Sequence, residues 1–326
     1  MKLEISQRLE GCLLGGAMGD ALGYPIEFMN MDSIHRDIGP EGVTKMSVPG
    51  LISDDTQMTL FTAEAVLSGR PESEWIDTVH LAYLRWYYTQ TEEKVGPEQD
   101  FTFGLLKEDR LFRWRMPGNT CMHMLSLGRT GSMNHPYNMS KGCGGIMRVA
   151  PCAVMSDPFL RACEAAAITH DHPSGYLSAG AFAQILAGLM AEHTLEESIA
   201  EARARLVTFP GHEEVLAQID SAVELSATNP GDEGQLETLG GGWVGEETLG
   251  IALYCALSYP DDFEKALLLA VNHSGDSDST GAVCGNIMGM KLGAGAWPEK
   301  WRKYLELNEL IGGMGRQLAE LAHPKD

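Results

Sequence analysis

The sequence predicts an all-α protein. Apolar residues recur at helical spacing along most of its 326 residues, and capping residues, prolines and glycines separate one periodic segment from the next. No segment sustains the alternation of apolar and polar residues that is typical of a half-buried strand, and no tandem repeat is found. The length allows one large domain or two closely packed halves, with ample material for a core.

The first predicted helix extends over residues 3–22 and becomes unusually rich in glycine in its second half. Glycine inside a helix costs about 1 kcal/mol relative to alanine, so this cluster indicates the close approach of either another backbone or a ligand. The helix should end near Gly23 and Pro25, which leaves Asp20 and Glu27 at its C-terminal end. Negative charge is unfavourable there unless a cation lies nearby, which is a first indication of a bound metal ion.

Three further helices are predicted in the N-terminal half. Residues 54–67 and 74–89 form the first two, the second of them rich in aromatic residues. A short third helix, capped by Asn119 or Thr120, ends at Gly128. The stretches between them have no periodicity and are expected to be irregular or loops over residues 29–52, 92–118 and 129–145.

Almost all of the C-terminal half is predicted to be helical. Asp157 followed by Pro158, and the capping box of Thr194 with Glu197, mark two helix starts. Residues 228–245 contain three consecutive glycines and are the best candidate for an exposed insertion. Helices with clear bounds are expected over residues 157–169, 174–193, 212–227, 246–258, 261–272, 278–292, 298–306 and 308–322.

The sequence His170-Asp171-His172-Pro173 joins two of these helices. A His-x-His pair could bind a metal ion, but two imidazoles in a loop are more often held by structural hydrogen bonds. We therefore do not assign this pair to a metal site.

The chain is strongly acidic. It contains 24 Lys and Arg against 45 Asp and Glu, a formal net charge of -21. This charge repels phosphate backbones and anionic lipid head groups, so we expect neither nucleic acid as a bulk partner nor a membrane. A small nucleotide remains compatible with it, because a divalent cation or a helix N-terminus would provide local positive potential.

The cysteines and the apolar segments favour a cytoplasmic protein. The seven cysteines form no Cys-x-x-Cys pair, and their odd number leaves at least one free thiol, which fits a reducing compartment. No apolar run reaches the roughly 18 residues that a membrane-spanning helix requires, and Met1–Glu10 carries charges where a secretory signal needs an apolar core. We therefore expect a soluble protein in the cytoplasm.

Two acidic clusters are the strongest candidates for a functional site. One precedes and begins a predicted helix near the C-terminus and comprises Asp276, Asp278 and Ser279. The other lies at the start of a helix far upstream and comprises Ser53, Asp54 and Asp55. Short oxygen ligands at such spacing can converge on a hard cation. For the downstream cluster alone, a helix cap formed by Asp278 or Ser279 is the simpler explanation.

The composition of the combined clusters favours a particular class of metal. Four carboxylates and two hydroxyls, without cysteine, suit Mg²⁺, Mn²⁺ or Ca²⁺ better than Zn²⁺ or copper. A calcium-binding helical hairpin also begins Asp-x-Asp, but its twelfth position requires a bidentate Glu, and this chain has Ile287 there. Two divalent ions would balance four negative charges and could orient a substrate and lower the pKa of a bound water. Phosphate-ester and glycoside chemistry are both open to such a centre.

Five stretches of the chain together resemble the ADP-ribosylglycohydrolase family. They occur in the family's order and are Gly11–Glu27, Ser53–Met58, Gly144–Pro151, Thr169–His170 and Gly275–Thr280. The resemblance implies a single domain over residues 1–326, folded as a compact orthogonal multi-helix bundle. It also implies an enzyme that hydrolyses the bond between ADP-ribose and an acceptor, either a modified protein side chain or a small molecule.

The resemblance further implies roles for individual residues. Two Mg²⁺ or Mn²⁺ ions would be held by Ser53, Asp54, Asp55, Asp276, Asp278 and Ser279. Glu27 would act in gating or in acid/base catalysis, while Asp55 or Asp278 could bridge a metal and the attacking water. The pyrophosphate would rest on the backbone N–H groups of the loop from Ser140 to Gly145, and His170 would reach a ribose or phosphate. The substrate-binding set is Gly118, Asn119, Ser140, Gly142, Gly144, Gly145 and His170.

Three positions depart from the family pattern. Ser53 stands where threonine is usual, Cys143 where asparagine is frequent, and Lys141 where an aromatic residue sometimes occurs. Stacking of the adenine would then be left to Tyr137 or be absent. Two alternatives therefore accompany the hydrolase: a non-catalytic member that binds ADP-ribose or a related nucleotide, and a binuclear phosphohydrolase acting on a nucleotide.

Overall fold

The computed structural model describes residues 3–92 and 104–322, and within them it confirms the all-α class. Fifteen α-helices and several short 3-10 helices are present in these residues, and extended segments pair there only as isolated bridges. The predicted irregular stretch 92–118 contains two 3-10 helices, Gly104–Lys107 and Asp109–Leu111. Residues 93–103 of that stretch lie outside the described part of the chain.

The helices lie close to the predicted positions in most of the chain. Those of the N-terminal half are α1 (Ile5–Gly23), α2 (Met31–Asp37), α3 (Asp54–Leu67), α4 (Trp75–Thr91) and α5 (Asn119–Ser126). Those of the C-terminal half are α6 (Pro158–Ala167), α7 (Pro173–Met190), α8 (Leu195–Leu206), α9 (Glu213–Thr228), α10 (Glu233–Leu236), α11 (Gly245–Ser258), α12 (Phe263–Val271), α13 (Ser277–Leu292), α14 (Glu299–Tyr304) and α15 (Asn308–Ala322).

Capping side chains explain the predicted helix starts. Asp157 accepts a hydrogen bond from Leu160 N at 3.1 Å at the start of α6. Thr194 Oγ1 accepts from Glu197 N at 3.1 Å, and the Glu197 carboxylate accepts from Thr194 N at 2.8 Å, which completes the capping box of α8. Both predicted starts are therefore confirmed.

Two predictions in the N-terminal half are wrong. The stretch 29–52 was expected to be a loop, yet it contains α2, whose start is capped by the Asn30 side chain accepting from Ser33 N at 2.9 Å. Only Ile34 is buried in this helix, so no apolar periodicity marks it in the sequence. In α5, Gly118 is the N-cap and Asn119 is already helical, one position earlier than predicted.

The stretch 228–245, predicted to be an exposed insertion, is mostly exposed only in its first half. Gly241 O accepts from Asp276 N at 2.8 Å, and Trp243 O accepts from Cys143 N at 3.1 Å. These backbone bonds hold the second half against the two loops that contain Asp276 and Cys143. The prediction of an insertion is wrong for this half, because its partners are distant in the sequence and no local pattern reveals them.

Helices α1 and α13 pack against each other in antiparallel orientation through glycines spaced four residues apart. The facing pairs are Gly11 with Gly289, Gly15 with Gly285, Gly19 with Gly281, and Gly23 with Ser277. A Cβ atom added to any of these α1 glycines would overlap the carbonyl oxygen of its partner, so the backbones are in direct contact. The glycine cluster therefore reflects the approach of a second backbone. It places the N-terminus of α13 beside the C-terminal end of α1.

Helix α13 lies at the centre of the molecule. Every residue from Ser277 to Met290 is buried, as expected for a helix surrounded by neighbours on all sides, and α1, α7, α11 and α12 contact it. None of the helices in residues 3–92 and 104–322 combines the length and the apolar character needed to cross a bilayer.

Candidate active site and metal centre

The acidic clusters at the N-termini of α3 and α13 meet in one cavity. Asp54 and Asp55 begin α3, while Asp276 caps α13 and Asp278 lies in its first turn. All four side chains line a cavity of about 190 Å³ together with Glu27. The sequence-based expectation that these two clusters come together is therefore met by the fold. Helix N-termini suit negative charge, which favours this placement.

Asp20 holds the first turn of α3 in position. It is fully buried in α1, and its carboxylate oxygens accept from Ser53 N at 2.9 and 3.1 Å and from Thr56 N at 3.2 Å. The Thr56 hydroxyl also donates to it. Asp20 thus satisfies N–H groups that a helix N-terminus leaves open. Its charge is compensated by the α3 N-terminus rather than by the cation that its position in the sequence suggested.

The cap of α13 is Asp276, not Asp278 or Ser279. Asp276 Oδ1 accepts from Ser279 N at 3.3 Å, and the Cys143 thiol donates to Asp276 Oδ2 at 2.7 Å. Because Asp276 takes the capping role, the Asp278 carboxylate is free to face the cavity.

Two carboxylate oxygens at the cavity have no hydrogen-bond partner among the described residues, namely Asp55 Oδ2 and Asp278 Oδ1. A buried charged oxygen without a partner is costly unless a proton or a cation compensates it. Glu27, Asp276 and Asp278 each offer one oxygen, and these three oxygens lie within 4.8 Å of one another. The donor set and its spacing therefore fit a hard divalent cation.

Burial shifts the protonation of the acidic side chains. It raises the pKa of Asp54 and the pKa of Glu27 to about 8 each, with further increases from neighbouring carboxylates. Burial also raises the pKa of Asp55 and the pKa of Asp278 well above the usual range. The charge of Asp54 adds to the shift of Asp55, and the charge of Asp55 adds to the shift of Asp278. At neutral pH, carboxylates so arranged hold either protons or cations.

The wall formed by the start of α5 contains two predicted substrate-binding residues. Gly118 N donates to Asp54 Oδ2 at 3.1 Å, so it orients a carboxylate of the acidic cluster. Asn119 and Thr120 line the cavity beside it. Apart from its two chain neighbours, no atom of the described residues lies within 4 Å of the Cβ position of Gly118, so these residues leave open space above its backbone.

The predicted glycine loop contributes only part of its length to the cavity. Gly142, Cys143 and Gly144 line it, whereas Ser140 and Gly145 do not. The Ser140 hydroxyl accepts from Gly142 N at 3.4 Å, and Gly145 packs behind the loop against Gly175, whose carbonyl oxygen would lie 3.1 Å from an added Cβ. Neither residue lines the cavity directly, although Ser140 Oγ lies 3.3 Å from Oγ1 of the cavity residue Thr120, and contact of the two residues with a ligand stays a prediction.

The backbone N–H groups of this loop are mostly engaged within the protein. Gly142 N donates to Ser140 Oγ, Cys143 N to Trp243 O, and Gly145 N to Gly142 O at 3.5 Å. For the N–H of Gly144, no acceptor outside its own 3-10 helix is found in residues 3–92 and 104–322, and Gly144 lines the cavity. A bound anion could therefore accept from the Gly144 N–H, whereas the sequence predicts that the successive backbone N–H groups of the loop all bind the anion.

The two histidines between α6 and α7 have different environments. His172 Nδ1 accepts from Ser174 N at 3.1 Å and caps α7, which confirms a structural role for it. His170 is buried, lines the cavity and lies against Gly142 and Gly144. Burial and the nearby Arg148 charge lower the pKa of His170 to about 3, so its imidazole is neutral.

Comparison with known proteins identifies the family. The family model described as ADP-ribosylglycohydrolase matches residues 1–326. The chain belongs to the ADP-ribosylglycohydrolase family. It is therefore an enzyme of the class that hydrolyses ADP-ribose linkages.

Relatives and a solved structure are similar to the chain over most of its length. The chain is 28% identical over 331 residues to an uncharacterized protein of Archaeoglobus fulgidus, covering 97% of each. It is 26% identical to ADP-ribosylarginine hydrolase Tri1 of Pseudomonas putida, over 98% of this chain and 80% of that protein. A solved ADP-ribosylglycohydrolase-related protein complex matches with a TM-score of 0.71 at 24% identity, over 98% of this chain and 99% of that one. This likeness confirms the predicted fold type.

The mouth of the glycohydrolase cavity carries aromatic and apolar side chains that sequence reasoning missed. Phe28 and Trp243 stack with ring centroids 5.4 Å apart at an interplanar angle of 19°, and both are substantially exposed. Met116 and Trp243 line the cavity itself. A tryptophan directly after three glycines was a signal in the sequence, but the stretch was interpreted as an insertion.

Two departures from the family pattern have clear structural consequences in this glycohydrolase. Cys143 lies in the cavity and contacts Asp276. Lys141 points to acidic partners instead, with its Nζ 2.8 Å from Glu214 and 2.5 Å from Glu246.

Tyr137 is more than half exposed, with the Arg129 guanidinium 5.8 Å from its ring centroid. Adenine stacking by Tyr137 stays a prediction.

Proposed function

We propose that this glycohydrolase is metal-dependent and releases ADP-ribose from an acceptor by hydrolysing the glycosidic bond. The observation that carries the proposal is the convergence of two acidic clusters on one cavity, where Asp55 Oδ2 and Asp278 Oδ1 have no partner in the described residues. An all-oxygen donor set suits two Mg²⁺ or Mn²⁺ ions. Their ligands would be Ser53, Asp54, Asp55, Asp276, Asp278 and Ser279.

Such ions would supply positive charge for the sugar hydroxyls and lower the pKa of a bound water. Asp55 and Asp278, whose free oxygens face this region, are the residues that would orient that water. The glycosidic bond breaks through an oxocarbenium-like state, so fixed carboxylates beside the anomeric carbon would stabilise the developing positive charge.

Glu27 is the residue we propose for proton transfer. In the metal-free protein, burial, followed by the charges of Asp276 and Asp54, raises the pKa of Glu27 to about 8, so its carboxyl can carry a proton near neutral pH. A protonated carboxyl beside the scissile bond can donate to the leaving group, and its conjugate base can take a proton from water. Its oxygen also lies within ligand distance of Asp276 and Asp278, so the same side chain could contact an ion.

The remaining cavity walls would hold the rest of ADP-ribose. Gly118 and Asn119 form one wall, while Gly142, Gly144 and His170 form the other. The Gly144 N–H would donate to a pyrophosphate or ribose oxygen. Ser140 and Gly145 lie outside this lining, and their contact with the ligand stays a prediction.

We further propose that the acceptor is an arginine side chain. Two relatives are named ADP-ribosylarginine hydrolase Tri1, and the exposed Phe28–Trp243 stack lies at the mouth of the cavity next to Glu27. A planar guanidinium stacks on aromatic faces and is attracted by nearby carboxylates. A protein carrying ADP-ribosylated arginine is therefore the substrate class that this mouth suits.

We also propose that residues 1–326 form one domain. Helices from opposite ends of the chain pack together, since α1 contacts both α13 and α15. Gly50 N donates to Tyr304 O at 3.0 Å, and Glu306 N donates to Gly50 O at 2.9 Å. These contacts join the first and last thirds of the chain around the cavity.

The proposal is tested by incubating the protein with peptides that carry ADP-ribosyl-arginine or ADP-ribosyl-serine and with a nucleotide-linked ADP-ribose, in Mg²⁺ or in EDTA. Chromatography should show free ADP-ribose from the arginine peptide in Mg²⁺ only. Release from another linkage alone would overturn the acceptor assignment. Inorganic phosphate or a nucleoside monophosphate as product would indicate a phosphohydrolase. Tight calorimetric binding of ADP-ribose without turnover of any substrate would indicate a binding protein.

Divalent metal is expected to stabilise the protein more at pH 8 than at pH 5.5. Without metal, the raised pKa of Asp54 and of Glu27 means that the folded state binds more protons than the unfolded state between about pH 4 and pH 8, so unfolding free energy falls as pH rises through this window. Metal needs the deprotonated carboxylates and stabilises the protein by about 2.7 kcal/mol at 100 times its Kd. Thermal melts with and without Mg²⁺ at both pH values measure this, and an equal gain at both would contradict it.

A further inference from the structure

Arg148 is a fully buried cation beside the cavity, and no carboxylate pairs with it among the described residues. Its Nη2 donates to Ala165 O at 3.0 Å and to Thr169 Oγ1 at 2.7 Å, and its guanidinium lies 4.1 Å from the Tyr83 ring centroid. Its Nη1 reaches only the sulfur of Cys121 at 3.4 Å and that of Met58 at 3.6 Å. Burying a cation without a paired carboxylate is costly. The hydrogen bond from Arg148 to Thr169 is one of the few contacts that compensate this charge.

The hydrogen bond between Arg148 and Thr169 determines the direction of the one between Thr169 and His170. Arginine has no acceptor atom, so the Thr169 hydroxyl must accept from Arg148. Thr169 Oγ1 also lies 2.8 Å from His170 Nδ1. If Nδ1 carried the proton, the buried hydroxyl hydrogen of Thr169 would have no good acceptor, because the Cys121 sulfur is weak and already receives Arg148 Nη1. The hydroxyl hydrogen therefore points to Nδ1.

The other nitrogen of His170 then carries the ring proton. Nε2 lies against the glycine loop, 3.3 Å from a Cβ added to Gly142 and 3.1 Å from one added to Gly144, and the latter would also lie 2.8 Å from the ring Cε1, so a side chain at position 144 would crowd the imidazole. His170 lines the cavity, and no bond from its Nε2 to the described residues is present. Burial, and after it the positive charge of Arg148, lowers the pKa of His170 and disfavours an imidazolium.

We propose that Arg148 and Thr169 are positioning residues that hold His170 as a neutral imidazole with its Nε2–H directed at an oxygen of the bound ligand. The identity of that ligand as ADP-ribose rests on the proposed function, whereas the tautomer is a property of the protein alone. In this series, Arg148 donates a hydrogen bond to Thr169, and Thr169 donates one to Nδ1 of His170. The series would give the cavity a hydrogen-bond donor that does not titrate in the physiological range.

The tautomer is tested by long-range ¹H–¹⁵N spectra of the full-length protein labelled at histidine. We expect His170 to show a bare Nδ1 and a protonated Nε2, unchanged between pH 5.5 and pH 8. Thr169→Val keeps the shape and removes the hydroxyl, so its spectrum should show both tautomers. ADP-ribose affinity by calorimetry should fall about 10-fold in this variant, the loss expected for one hydrogen bond. Thr169→Ser should restore the wild-type spectrum and affinity.

Thr62→Val is the matched control, because Thr62 is equally buried and its hydroxyl bonds to Met58 O at 3.1 Å and to Tyr83 at 3.0 Å. It should lower thermal stability as Thr169→Val does, without moving the His170 signals. A protonated Nδ1 in the wild type, an imidazolium at pH 7, or an unchanged spectrum in Thr169→Val would overturn the proposal. If the wild type shows the expected spectrum but does not bind ADP-ribose, the proposed function is overturned instead.

Discussion

Replacing Asp55 or Asp278 by alanine is expected to abolish divalent-metal binding and to lower hydrolysis about 10²–10³-fold or more, the scale seen when one electrostatic contact to the transition state is removed. Both side chains are buried at the cavity and each has an oxygen without a partner among the described residues. Their removal takes a ligand from the proposed centre, together with the hydrogen bond of Asp55 to Ser279 or of Asp278 to Asp276. Calorimetric titration with Mn²⁺ and a product assay measure the two losses.

The fold should survive these substitutions. Burial and the charges of neighbouring carboxylates raise the pKa of Asp55 and the pKa of Asp278, so each costs stability in the absence of metal. The metal-free variants should therefore melt at or above the wild-type temperature. Asp32→Ala is the matched control, because Asp32 also lies in the first turn of a helix but is exposed. Loss of helical circular dichroism in both Asp55→Ala and Asp278→Ala would mean that these residues are structural.

Gly15→Ala is expected to lower the unfolding free energy by about 2–3 kcal/mol, near the upper end of the usual cost of overpacking. The added methyl group would overlap the backbone carbonyl of Gly285, and a backbone atom cannot move aside as a flexible side chain can. The two helices would have to separate, which would also displace the start of α13 and weaken metal binding. Denaturant unfolding followed by circular dichroism measures the loss.

Gly313→Ala provides the control for this prediction. Gly313 lies inside α15, and only the end of the Arg316 side chain comes within 4 Å of its Cβ position. Alanine should be neutral there or stabilise the protein by up to about 1 kcal/mol through helix propensity. If Gly15→Ala behaved like Gly313→Ala, the contact between the α1 and α13 backbones would not be as close as described.

Local chemistry explains how much of the fold the sequence predicts. The bounds of α3 match the prediction because Ser53 and two acidic residues mark its start and Gly69 with Pro71 follows its end. Helix α2 was missed because a seven-residue helix with one buried side chain has no apolar periodicity. The glycines of α1 were recognised as a close approach, but their partners on α13 lie far away in the sequence, and no local pattern names them.

The candidate site, like the fold, was predicted where the sequence signal is local and missed where it depends on distant residues. The sequence motifs predicted that the carboxylates of α3 and α13 lie close together, because each cluster is recognisable within a few residues. They could not show which side of a loop lines the cavity, so the set assigned to the ligand included Ser140 and Gly145, which lie outside the cavity lining and whose contact with a ligand stays a prediction. The role of Asp20 was also hidden, because it depends on N–H groups of Ser53 and Thr56, more than thirty positions later.

The most direct measurement is a crystal structure of the protein soaked with Mn²⁺ and ADP-ribose, with anomalous scattering used to locate the metal. We expect two manganese peaks between the first turns of α3 and α13, in contact with the Asp55 and Asp278 carboxylates and beside the ribose. Manganese bound elsewhere, or ADP-ribose in this cavity with no metal next to Asp55 and Asp278, would contradict the account.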